Sequence, residues 1–166
     1  MENFIQAARK QIQNQKVSEK FSLNEEIAQA IEMLQSRARK SKVKIDFNTE
    51  KDILTKGDPI KFNQLVTNLI SNAIDSYDLV KSTKSRLVII RLRQIVKSVK
   101  LEIQDFGSGV SKQNLPLIFE PLFTTKSSIK GTGIGLSICK EIVEKDLKGQ
   151  IGVESKIGRA SCRERV

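Results

Sequence analysis

Apolar positions fall in two rhythms along this chain, and the switches between them mark out helices and strands. Leu23, Ile27, Ile31, Leu34 and Ala38 recur every three or four residues, the spacing of one helix face. Ser22 and Glu25 stand just ahead as S-x-x-E, a capping box for the unpaired N–H groups of a first turn. Val43, Ile45 and Phe47 alternate as a short strand, and Ile53-Leu54 is the candidate to pair with it. Asp58-Pro59 starts a second helix, with a capping carboxylate and then a proline where no N–H is needed. The run IKFNQLVTNLISNAIDSY carries that helix to about Tyr77 or Val80. Arg86–Gln94 and Val99–Asp105 alternate as two strands of a hairpin around Lys97-Ser98. A long loop rich in Gly, Ser, Pro and Thr follows from Phe106 to Thr132, then a helix over Gly133–Asp146 and a strand over Gln150–Glu154. Residues 1–20 are polar with a faint helical stripe at Ile5, Ala8 and Ile12. Short strands and helices in mixed order predict an α/β sandwich with helices on one face of a sheet.

Composition changes this picture mostly by exclusion. A chain of 166 residues with 39% hydrophobic and 29% charged residues is expected to form one domain around one core. No apolar run approaches the roughly 18 residues of a membrane span, and MENFIQAARK lacks the build of a signal peptide. Two cysteines, Cys139 and Cys162, make no disulfide framework, so the expected compartment is the cytoplasm. The net charge of +10 invites a nucleic-acid reading. The lysines are spread along the chain, however, with one tyrosine and no tryptophan to stack on bases, so no nucleic-acid partner is expected. The chain contains no histidine, which removes a histidine base, ligand or phosphoacceptor. The last ten residues, IGRASCRERV, have no periodicity and read as the in-frame translation of a common short-read sequencing adapter. Residues 157–166 are therefore expected to be a non-native tail.

Four stretches carry candidate chemistry. On the second helix a polar stripe of Gln64, Asn68, Asn72 and Asp75 runs through apolar neighbours at spacings of four, four and three, hence on one face. Such oxygens suit a hard cation like Mg²⁺ bridging to phosphates, or else simply face solvent. DFGSG, Asp105 to Gly109, places a carboxylate at a strand end beside two glycines that allow close approach, or forms a plain turn. No V-A-I-K or H-R-D segment accompanies this DFG, which excludes a protein kinase of the usual eukaryotic type. FEPLFTTK, Phe119 to Lys126, reads as a flap anchored by Phe119 and Phe123. KGTGIGLSICKEIV sets Gly131, Gly133 and Gly135 ahead of a helix, a backbone suited to an anion. It fits neither the Rossmann pattern, which needs a glycine at Leu136, nor the P-loop.

In their order and spacing these four resemble the N, G1, F and G2 boxes of the ATP-binding domain of sensor histidine kinases, over roughly Phe21 to Lys156. The F-T-T-K element is similar to that of the nitrogen-regulation type. The resemblance implies an α+β two-layer sandwich: a mixed, mostly antiparallel sheet covered on one face by about three helices, with an ATP lid over about 106–132. It implies ATP and Mg²⁺ as cofactors, with Asn72 as metal ligand and Asn68 and Asp75 on the phosphate side. Asp105 would accept a hydrogen bond from the adenine amino group. Gly107 and Gly109 would begin the lid, Phe119, Phe123 and Lys126 would lie in it, and Gly131, Gly133 and Gly135 would bring backbone N–H groups to the phosphates, with Thr132 and Leu136 also among the cofactor-binding residues. Asn68, Asn72 and Lys126 are the expected catalytic set.

In the related gyrase, repair and chaperone ATPases a glutamate occupies the position of Asn68 and activates water. An amide there favours phosphoryl transfer over hydrolysis. The acceptor would be a histidine on a dimerisation domain upstream, of which residues 1–20 resemble the tail, and a response-regulator receiver domain would be the next partner. Homodimerisation is expected only in the full-length protein, which is itself a candidate for membrane anchoring. The family's G-x-G-T-x-F segment after Ser155 has no counterpart, so an edge strand is expected to be missing. The alternatives are an anti-sigma-factor type serine kinase and a non-catalytic ATP-binding interaction module.

Overall fold

The computed structural model describes residues 18–49, 51–78, 80, 85–126, 131–156 and 159–165. The helical lead-in expected over Ile5, Ala8 and Ile12 lies outside them. In chain order the elements are β1 (Glu19–Ser22), α1 (Leu23–Lys40), β2 (Val43–Thr49), β3 (Leu54–Gly57), α2 (Pro59–Asp75), β4 (Arg86–Ile95) and β5 (Ser98–Gln104). A 3₁₀ turn (Leu115–Leu117), α3 (Gly135–Glu141, widening into a π turn over Ile142–Asp146), β6 (Gln150–Lys156) and β7 (Arg159–Arg165) complete the chain.

The main sheet has the order β2-β4-β5-β7-β6, with β2 and β4 parallel and every other pair antiparallel. The helices bury their apolar stripes against this sheet, as expected: Ile27, Leu65, Ile70, Ile74 and Val143 meet Val88, Ile90, Leu92 and Leu101 in one core. Ser22 caps α1 by accepting from the Glu25 N–H at 3.1 Å, one half of the anticipated box, while its own hydroxyl donates to Asp52. Asp58 caps α2 through the N–H groups of Ile60 and Lys61.

Several elements differ from the sequence reading. Ile53-Leu54 does not pair with β2. β3 instead pairs antiparallel with β1, an element the helical reading of residues 1–20 omitted, and β2 pairs with β4. The reason is local: the Ile53 carbonyl accepts from Leu23 N–H at 2.9 Å and its N–H donates to Asn24, which ties this segment to the start of α1. The β4–β5 turn is Val96-Lys97, one residue earlier than expected, with Val96 at φ 47°. α3 begins at Gly135 rather than Gly133, because Gly133 sits at φ 69° and cannot continue a right-handed helix. Arg159–Arg165, expected outside the fold, forms β7 between β5 and β6, so the position thought to lack a strand is filled and is internal. A ladder pairs backbone with backbone, which is why a segment without apolar alternation can occupy it.

Candidate functional site

One face of α2 organises the site. Asn68, Asn72 and Asp75 are half-buried along it, whereas Gln64, a turn earlier, is exposed and takes no part. A cation already sits on this face. The Lys126 ammonium donates to Asn72 Oδ1 at 3.1 Å and to Asp75 Oδ2 at 2.7 Å, bringing the flap residue onto the helix 51 positions away. Arg37 of α1 pairs with the other oxygen of Asp75 and also donates to Ser71 Oγ. Asp75 is thus held between two cations, its side chain only 9% exposed. Opposite, Gly135 opens α3 so close to α2 that an added Cβ would lie 3.9 Å from both Asn68 Oδ1 and Asn72 Nδ2.

The second half lies where β5 ends. Asp105 is buried at 8% exposure and its Oδ1 accepts from the Gly107 N–H at 2.9 Å. Burial raises its pKa above the ordinary aspartate value, and hydrogen bonds from Gly107 and Ser76 pull against that rise. The turn after it is clamped to the end of α2: Ser108 N–H donates to the Ser76 carbonyl at 2.9 Å, and Phe106 N–H donates to Tyr77 Oη at 2.9 Å. At Gly107 a Cβ would lie 2.0 Å from Ser76 Oγ, so only glycine fits. A cavity of about 120 Å³ opens between Asp105 and α2, lined among others by Asn72, Asp105, Gly109, Phe119 and Leu136.

The flap closes on the glycine loop. Gly133 packs against the Leu122 backbone, where a Cβ would meet carbonyl atoms at 2.5 to 2.6 Å, and a Cβ on Gly131 would meet Thr124 Oγ1 at 2.6 Å. Residues 127–130 lie outside the described part of the flap.

The structure therefore gathers Asn72, Asp105, Gly109, Phe119 and Leu136 around one cavity, with Asn68, Asp75, Lys126 and Gly135 on its flank. Phe123 is half-buried and Thr132 exposed, and neither is among the cavity's lining residues. Sequence reasoning did not single out Arg37, Ser71, Ser76 or Tyr77 as site residues. Among the described residues no cluster of three or more His, Cys, Asp or Glu could hold a metal. A hard cation here would take an oxygen from Asn72 and the rest from phosphate and water, the ligand set that suits Mg²⁺. The Lys126 ammonium donates to that same oxygen, with Asp75 as its charge partner.

Comparison with known proteins fits this geometry. Residues 57–163 match the family described as histidine kinase-, DNA gyrase B-, and HSP90-like ATPase. Adaptive-response sensory kinase SasA of Synechococcus elongatus is 33% identical over 138 residues, covering 81% of this chain and 34% of that protein. Hybrid signal transduction histidine kinase L of Dictyostelium discoideum is 29% identical over 86% of this chain, which spans 9% of that protein's length. The crystallised catalytic domain of histidine kinase ThkA, nucleotide-free, superposes with a TM-score of 0.76 at 26% identity, covering 90% of this chain and 95% of that one. A further structure holds ThkA in complex with the response regulator TrrA. No helix among the described residues is long and apolar enough to cross a membrane. With a buried aspartate facing a cavity, an asparagine of α2 beside it and this fold, the chain belongs to the histidine kinase-, DNA gyrase B-, and HSP90-like ATPase family and is an ATP-binding domain of its histidine kinase branch.

Proposed function

We propose that this domain binds Mg-ATP and, within a longer sensor kinase, passes the γ-phosphate to a histidine on a dimerisation domain preceding it. The Lys126 ammonium, donating to Asn72 and Asp75, supports this reading, because it brings the flap's positive charge to the polar face of α2 beside the cavity. Adenine would enter the cavity with its amino group on Asp105, and the triphosphate would run between Asn72 and the N–H groups ahead of α3, with Gly131, Gly133 and Gly135 letting it approach. Mg²⁺ would supply charge neutralisation on the phosphate oxygens. Lys126 would leave Asn72 and Asp75 for the γ-phosphate, while Arg37 keeps Asp75 paired.

Transfer then needs positioning more than covalent chemistry. An imidazole nitrogen lone pair attacks the γ-phosphorus in line. The bond from that phosphorus to the bridging oxygen breaks, ADP leaves with the electron pair, and the ring's remaining N–H proton passes to water. Asn68 has no basicity with which to activate water, so hydrolysis is disfavoured relative to transfer. The acceptor histidine belongs to another domain, since this chain contains none. A response-regulator receiver domain would take the phosphate next, as the ThkA–TrrA complex suggests for this class. The F-T-T-K flap favours a kinase of the nitrogen-regulation type, working in the cytoplasm and as a dimer only when full-length.

Calorimetric titration of ATP with and without Mg²⁺ tests the reading on the parent chain and on Asn72→Ala. Mg²⁺-enhanced binding by the parent, lost in the variant, is the expected result. A folded parent chain that binds no ATP would sink it.

A further inference from the structure

We propose that Tyr77, which touches neither metal nor phosphate positions, is a positioning residue that sets the base selectivity of Asp105; the inference rests on the reading of Asp105 as the adenine acceptor. Tyr77 is 2% exposed. Its hydroxyl takes part in three hydrogen bonds, donating to the Leu87 carbonyl at 2.7 Å and accepting from the N–H groups of Leu87 at 3.1 Å and Phe106 at 2.9 Å. One oxygen thus joins the segment after α2, the start of β4 and the turn after β5.

The bond to Phe106 matters most. The Phe106 N–H shares a rigid peptide plane with the Asp105 carbonyl, so fixing that N–H fixes the backbone orientation from which the Asp105 side chain projects. On the far side, Ser108 N–H is held by the Ser76 carbonyl and Gly107 lies against the Ser76 side chain. Two consecutive residues just past α2 therefore grip the backbone on both sides of Gly107, and α2 itself carries Asn72. The arrangement ties the acceptor for the base to the helix that bears the cation ligand, within one short span of chain.

A purely structural tyrosine would matter equally for every nucleotide. A positioning tyrosine would matter for nucleotides that use the Asp105 carboxylate. The test compares ATP with purine riboside triphosphate, which is ATP without the 6-amino group, on the parent and on Tyr77→Phe. The ring and its packing are retained in the variant, and only the hydroxyl is lost. The expected result is that the parent prefers ATP and that Tyr77→Phe narrows this preference about fivefold, the scale of one net hydrogen bond, mainly by weakening ATP. Equal weakening of both nucleotides, or an unchanged preference, would overturn the proposal. A parent that binds ATP without preferring it would instead refute the role of Asp105.

Because the chain has a single tyrosine, uniform 3-fluorotyrosine labelling places one ¹⁹F probe at position 77. If Tyr77→Phe does not fold, the labelled parent decides. A ¹⁹F shift on saturation with ATP that is clearly larger than with purine riboside triphosphate supports positioning. Equal shifts, or none, reject it.

Discussion

At the scale of single residues the site contains two charges with opposite tasks. Asp105 is a buried carboxylate whose desolvation raises its pKa. Between the ordinary value and the raised one, the folded state keeps a proton that the unfolded state has lost. The group therefore favours folding most at low pH, and that contribution disappears as pH rises through the folded pKa, leaving a net cost at neutrality. Under the proposed role of Asp105 as acceptor for the adenine amino group, ATP binding has the opposite sign, since it favours the ionised carboxylate. Acidification is thus expected to weaken ATP binding at a pH above that at which an ordinary aspartate protonates, before the fold is lost, as calorimetry across a pH series would read out. Asp105→Asn should separate the two effects at pH 7: a thermal midpoint equal to or above the parent's, with ATP affinity down tenfold or more. A variant that keeps parental affinity would contradict the assignment. Lys126 is a contrasting case. Its pair with Asp75 leaves the lysine side chain 34% exposed, and partly solvated pairs contribute about 0–1 kcal/mol. Lys126→Ala should therefore change urea stability by less than about 1 kcal/mol, while the proposed move of Lys126 to the γ-phosphate predicts several-fold weaker ATP binding.

At the scale of elements, the flap and the glycine loop share one piece of geometry, and a single methyl group tests it. Gly133 combines a left-handed backbone with a Leu122 carbonyl carbon 2.5 Å from where a Cβ would be. Gly133→Ala should displace the flap from the loop and release Lys126 from Asn72, seen as faster proteolysis within 119–132 with the core unfolding transition little changed. Gly107→Ala meets Ser76 backbone as well as side chain, so it should destabilise the whole domain, by about 1–3 kcal/mol as in other overpacked sites. Periodicity revealed the elements long enough to repeat: α1, α2, β4 and β5 were legible because each shows its apolar face several times over. β1 and β3, four residues each, show too little to register, and their pairing depends on Ile53 being held by Leu23 and Asn24. The same limit governs the site. Asn72, Asp105 and Gly135 were legible as residue types in order. The Arg37–Asp75 pair, 38 positions apart, and the Tyr77 contact with Phe106, 29 apart, are products of packing with no local signature.

At the scale of the whole molecule the last strand holds the sheet together, lying between β5 and β6. IGRASCRERV has the look of translated adapter, yet Arg159–Arg165 lies between β5 and β6 with Ile103 opposite Cys162 and Cys162 opposite Val153. Removing an interior strand is unlike removing an edge. It would leave two ladders of unpaired N–H and C=O groups, one on β5 and one on β6, and separate β6 from the rest of the sheet. The cavity shares that fate, because Val153 of β6 and Ile103 of β5 both line it. If the tail serves as β7, a chain ending at Lys156 should lose cooperative unfolding, aggregate through the exposed ladders and bind ATP poorly. If the tail is incidental, residues 1–156 should unfold at the parental midpoint with unchanged affinity. A third variant adds the decisive contrast: replacing Arg159–Arg165 by seven residues of high strand propensity should restore both properties, since ladder pairing needs an extended backbone and not these side chains. Restoration by the designed strand, with failure of the truncation, would mean that the domain requires a seventh strand while remaining indifferent to where its sequence came from.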